Sequence, residues 1–172
     1  DLAGVEVNHR PAFETYVSST YDIKEGGGDF STGADVAMRL SSELVGAFTI
    51  NPDFGQVEAD PDTIELRDTE RFLRERRTFF REGAELFETP VNIYYSRRFQ
   101  QIDLGGKVTG QGRDWALGLV DVQGEIERED DLLTGNYHVG RYIRDVGEHS
   151  HVGGIWATSF RENGNNVSAG LD

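Results

Sequence analysis

FSTGADVAMRL, residues 30–40, decides the fold. Phe30, Thr32, Ala34, Val36, Met38 and Leu40 alternate with Ser31, Gly33, Asp35, Ala37 and Arg39. One side of an extended chain is then greasy and the other small or polar, which is the period-two signature of a β-strand. Ser41-Ser42-Glu43 turns the chain and Leu44 to Ile50 runs back, so the pattern predicts a hairpin over 30–50. Upstream, Phe13, Thr15, Val17, Ser19 and Tyr21 alternate with Glu14, Tyr16, Ser18 and Thr20, and KEGGGD (24–29) supplies the turn between the two runs.

Residues 51–90 break the alternation and form an acid- and arginine-rich insertion. NPDFGQVEADP (51–61) is turn-like, and DTERFLRERRTFFREGAELF (68–87) has no turn residue before Gly83. Phe72, Phe79, Phe80 and Phe87 recur at steps near three, four and seven, so a helical or irregular insertion is expected near 62–88, started by Asp68 or Thr69. Its aromatics should face a packed surface, and its arginines should reach outward or pair with acids. Residues 91–172 then read as a strand meander: VNIYYSRRF (91–99), IDLGGKVTGQ (102–111), DWALGLVDVQG (114–124), an acidic loop EIEREDDLLTG (125–135), and NYHVGRYIRDVG (136–147), SHVGGIWATSF (150–160) and NVSAGLD (166–172). The expected fold is mainly β, with antiparallel strands in up-and-down order forming a barrel or part of one. The chain is read as a single β domain or barrel segment over 1–172.

The bulk numbers set limits. The chain has 172 residues, 37% hydrophobic and 28% charged, with a formal charge of −14. Such acidity repels nucleic acid phosphate, so no nucleic acid partner is expected. With no cysteine, thiol chemistry and disulfides are excluded. No run of about 18 apolar residues exists to cross a bilayer as a helix. Strands are another matter. A transmembrane strand of ~9–11 residues alternates apolar-out with small or polar-in. Trp115, Leu117 and Leu119 stand opposite Ala116, Gly118 and Val120, and Val152, Gly154, Trp156 and Thr158 stand opposite Gly153, Ile155 and Ala157. From alternation alone, a soluble sandwich or barrel fits slightly better than a membrane barrel.

Candidate chemistry lies mostly in the insertion. Asp53, Glu58, Asp60 and Asp62 are hard oxygen ligands at short spacing and would suit calcium, the one cofactor they suggest. The spacing is not that of an EF-hand. The stronger reading is structural: Asn51 and Asp53 make an Asx-type turn, Pro52 fixes the backbone, and the carboxylates pair with arginines. The resulting acid–arginine latch would comprise Asp53, Glu58, Asp60, Arg76, Arg77, Arg81, Arg97 and Arg98, because the planar guanidinium matches a carboxylate. His9, His138, His149 and His151 read as surface residues. There is no nucleophile–base arrangement and no G-x-S-x-G elbow, so no catalytic residue is assigned and the chain leans away from being an enzyme.

TINPDFGQVEADP (49–61), RERRTFFREGAELF (74–87), IYYSRRF (93–99), LGGKVTG…WALGLVDVQ (104–123) and NYHVGRYIRDVGEHSHVGGIWA (136–157) occur in that order. Together they resemble an uncharacterised family of bacterial outer-membrane β-barrels, in which an N-terminal carbohydrate-binding module of the family-nine type precedes a C-terminal barrel and some members carry a hydrolase label. The resemblance spans residues 30–172 and departs at Arg74 and Thr78, where the family has prolines. It implies an outer-membrane or cell-surface location and a structural or transport-type role, with 51–88 folded against the lumen as a plug. The implied partners are lipid or detergent on the barrel surface, and further strands from a larger parent chain or from self-association. A soluble acidic domain binding carbohydrate or protein, and a hydrolase with its site in 51–88, are the rival readings.

Overall fold

A computed structural model describes residues 12–22, 27–52, 77–90, 93–94, 96, 99–128, 131–147, 150–161 and 164–172. Eight strands form one sheet in sequence order: β1 (Ala12–Asp22), β2 (Gly27–Arg39), β3 (Leu44–Ile50), β4 (Phe99–Gln111), β5 (Trp115–Arg128), β6 (Asp131–Asp145), β7 (His151–Arg161) and β8 (Gly164–Leu171). Every neighbour pair is antiparallel, as expected from the alternation. Among the described residues the sheet is not closed, and β1 and β8 are its edges.

The 30–50 hairpin forms for a local reason. Ser41 Oγ accepts from the backbone N–H of Glu43 and Leu44 at 3.2 and 3.1 Å, while Leu40 and Ser41 N–H donate to the Leu44 carbonyl at 2.9 and 3.2 Å. At the far end of β3, Asn51 adopts a left-handed φ of 43°, which asparagine tolerates better than most residues. Its side-chain amide donates across the sheet to the Thr32 carbonyl at 2.7 Å, tying the exit of β3 to β2.

Two segments, 125–135 and 93–96, differ from expectation. In the described part of the expected helical or irregular insertion, α1 is Thr78–Arg81, followed by a 3-10 turn at Ala84–Phe87, and residues 62–76 lie outside the described residues. Gly83 sits between them at φ 72°, a left-handed geometry that ends the α-helix. The acidic stretch 125–135 is not a loop. Both flanking strands run through it, with Glu125 facing Thr134 and Arg128 facing Asp131, and the Thr134 hydroxyl donates to the Glu125 carboxylate at 3.3 Å. Finally, Ile93, Tyr94 and Ser96 lie outside any strand, and β4 begins only at Phe99. Their apolar groups pack on the sheet instead of pairing with it. Tyr94 meets Phe87 at 5.4 Å between ring centroids, and a Cβ on Gly170 of β8 would lie 2.9 Å from Ile93 Cδ1.

The described residues from Arg77 to Tyr94 therefore cross one face of the sheet from β3 and β4 to β8. The core forms beneath them, from Phe79, Phe80, Phe87, Phe99, Ile102, Val120, Val122, Tyr137 and Val139. A register shift in β4 between Phe99 and Gln101 brings Phe99 and Ile102 inside together although they are three residues apart, and a second, between Ile102 and Leu104, does the same for Ile102 and Gly105.

Candidate functional site

The cross-strand register assigns every strand residue to one of two faces. One inner row runs Ala37, Ala47, Lys107, Val120, Val139, Ala157, Ser168. The next runs Arg39, Val45, Thr109, Gly118, Arg141, Ile155, Gly170. These positions are small, polar or charged, with an apolar centre where the 77–94 segment lies.

That segment is seated by shape and by cations. Gly105 and Gly118 leave room for rings: a Cβ on Gly105 would be 3.1 Å from the Phe79 ring, and one on Gly118 would be 2.6 Å from that of Phe87. Phe80 stacks on Phe99 with centroids 5.6 Å apart, and Phe99 meets Tyr137 edge-on at 5.3 Å. Lys107 is buried, at 5% exposure, and its ammonium donates to the carbonyls of Phe79 and Glu82, the latter at 2.5 Å. Lysine suits this position because its compact ammonium carries three donors. Arg77 is also buried and donates to the carbonyls of Ser96 (2.7 Å) and Phe99 (2.8 Å), with its guanidinium 4.6 Å from the Phe80 ring centroid. Further along, Arg141 makes a bidentate pair with Asp172, both bonds at 2.6 Å. These hydrogen bonds hold the Asp172 carboxyl below its usual range.

The outer face has the opposite character. One row reads Met38, Gly46, Val108, Leu119, Gly140, Trp156, Ala169, and the next Leu44, Gly110, Leu117, Tyr142, Gly154, Leu171. Neither contains a charge. Met38, Phe48, Ile50, Leu104, Leu119, Tyr142, Val152, Trp156 and Phe160 are all exposed. Between them lies a groove of about 510 Å³ bordered by Met38, Leu40, Phe48, Leu119 and Trp156, with Asp121 and His138 at its polar end. His138 Nδ1 contacts Asp121, and its ring lies edge-on to Phe160 at 5.4 Å.

Of the latch residues, Arg77 and Arg81 are described. Arg81 is exposed in the last turn of α1. Arg77 turns inward, where two carbonyls receive it. Asp53, Glu58, Asp60, Asp62, Arg76, Arg97 and Arg98 lie outside the described residues, so the latch and the calcium set fall there with them, as do His9 and His149. His151 is exposed at the start of β7, and His138 is half-buried against Asp121. Sequence reasoning missed Lys107 and Arg141. Their signal was a lone cation at an inward position of an alternating strand.

A family model described as a domain of unknown function, DUF5916, matches residues 7–112. No curated protein and no solved structure matches the chain.

Proposed function

The chain belongs to the DUF5916 family, and from that premise and its two-faced sheet we propose that it is a segment of a bacterial outer-membrane β-barrel with a plug-like insertion. The observation that carries this reading is the pair of uncharged outer rows, where large apolar side chains are exposed although the hydrophobic core and the buried cations Lys107, Arg77 and Arg141 lie on the inner side. A monomer in water seldom exposes a contiguous apolar patch above a few hundred Å². In a bilayer the apolar rows meet lipid and the polar side lines a lumen.

Length supports the same reading. β4, β5, β6 and β7 have 13, 14, 15 and 11 residues, enough for the ~9–11 that a tilted spanning strand needs. The open edges at β1 and β8 require further strands, from a longer parent chain or a second copy, because unpaired backbone groups are costly in lipid. A carbohydrate-binding module on the parent chain is part of the resemblance and fits a cell-surface role. The role assigned to this segment is structural or transport-type, and no reaction is assigned to it.

Reconstitution tests the proposal. The purified chain is refolded with vesicles, washed with alkaline carbonate and floated on a density gradient. It is expected to float and to need detergent otherwise. Monodisperse, β-rich protein in detergent-free buffer that stays at the bottom of the gradient overturns the reading.

A further inference from the structure

The two ends of the sheet are unlike, and we infer that the end carrying the insertion opens to the cell exterior while the other faces the periplasm, so that the 77–94 segment hangs from the outer mouth with its tip toward the periplasm. This rests on the membrane reading above and adds a direction to it. Up-and-down order puts alternate connections at opposite ends. One end holds the β2–β3, β4–β5 and β6–β7 links, residues 40–43, 112–114 and 146–150. All three are tight: Leu40 and Ser41 donate to the Leu44 carbonyl, Gly112 to that of Trp115 at 2.8 Å, and Val146 to that of Ser150 at 2.7 Å. The other end holds two short links, 23–26 and 162–163, together with residues 51–98 between β3 and β4. It also holds the β5–β6 hairpin, which runs on to Arg128 and Asp131, past the last β4 partner at Ile126 and the last β7 partner at Asn136. Among the described residues that tip has no neighbouring strand on either side, and hydrocarbon does not tolerate such unpaired backbone, so it stands in water. Outer-membrane barrels keep short turns on the periplasmic side and longer connections outside. The insertion and the projecting hairpin therefore give the same direction.

The path of the insertion follows that direction. Arg77 is held at the insertion end, where it donates to the Phe99 carbonyl at the start of β4. From there the chain descends along β4. Lys107 donates to the carbonyls of Phe79 and Glu82, and a Cβ on Gly83 would be 2.9 Å from Thr109 Cγ2, close to the end of β4 at Gln111. By Ser96 the chain is back at the insertion end, where its carbonyl receives the same Arg77 guanidinium at 2.7 Å. One arginine thus clasps both limbs of a loop that enters and leaves by the same mouth. A solute from outside meets this root first, and one from the periplasm meets the tip, Gly83–Phe87.

The segment has no cysteine, so an introduced one is its sole thiol. The protein as its cells make it is substituted singly: Glu129→Cys or Asn163→Cys at the insertion end, Ser42→Cys or Arg113→Cys at the short-turn end. A bulky polyethylene glycol maleimide, which does not cross the outer membrane, is added to intact cells, and labelling is read as a gel shift above that of the unsubstituted protein. The first pair is expected to shift in intact cells as fully as after lysis. The second pair is expected to shift only once the outer membrane is permeabilised. Two positions at each end keep the result readable where one variant fails to assemble. The reverse pattern, or the same result at both ends, overturns the direction. Recovery of the protein in the soluble fraction instead overturns the membrane reading beneath it.

Discussion

Gly118 of β5 lies directly under the ring of Phe87, and no other residue fits between the sheet and the 3-10 turn that carries that ring: a Cβ there would be 2.6 Å from Phe87 Cζ. Gly118→Val is therefore expected to lift Phe87 from the inner face. Overpacking of this kind destabilises by about 1–3 kcal/mol. A lower urea midpoint, with faster proteolysis between residues 77 and 94, checks it. Unchanged proteolysis would mean that the segment is not seated on β5.

Lys107 pins the same segment from β4. Lys107→Met keeps the aliphatic bulk and leaves the Phe79 and Glu82 carbonyls without their donor, at an expected loss of about 1.5–3 kcal/mol. Hydrogen exchange over Thr78–Phe87 is expected to quicken while exchange in β5 and β6 stays slow. Equal protection in the variant would show that the ammonium does not hold the insertion.

The outer face gives a prediction whose size depends on the solvent. Leu119 is 38% exposed at the centre of an uncharged row. On a lipid-facing surface Leu119→Arg is expected to destabilise insertion by about 2–4 kcal/mol. On a soluble sheet an exposed substitution usually stays within about 0.5 kcal/mol. Refolding into vesicles at graded urea concentrations distinguishes these outcomes.

Acid should act at the end of β8. Hydrogen bonds from Arg141 lower the Asp172 pKa from its ordinary 3.8, so the folded state holds the carboxylate more tightly than the unfolded chain does. The contribution is present at neutral pH and is lost as pH falls below 3.8 and through the lowered folded value. Asp172→Asn is expected to reduce stability at pH 7 and to flatten the acid limb of a stability–pH curve. A parallel curve for the variant would remove this pair from the acid response.

Much of the fold was legible because the code of a sheet face is local. Val36 and Met38 on β2, or Val152 and Trp156 on β7, declare their side by parity alone, and the register carries that side from strand to strand. The insertion was less legible. The phenylalanine spacing announced packing and did not announce the break at Gly83 between α1 and the 3-10 turn. Ile93 and Tyr94 read as strand because aromatic and β-branched residues favour strands, yet tertiary packing on Phe87 and β8 took them. Arg77 also reaches the carbonyls of Ser96 and Phe99, acceptors that every residue carries and no sequence pattern marks. The groove was hidden for a related reason. It needs Gly106, Phe48 and Asp121, on three different strands, to fall on one register row.

The central claim, that the outer rows face lipid, is tested most directly by the fluorescence of Trp156. The chain has two tryptophans, Trp115 and Trp156, so Trp115→Phe leaves Trp156 as the sole reporter. It stands in the uncharged row with 41% of its surface exposed. In vesicles of lipids brominated along the acyl chain, its emission is expected to be strongly quenched and to be indifferent to aqueous iodide. Emission quenched by iodide and untouched by brominated lipid would contradict a lipid-facing sheet.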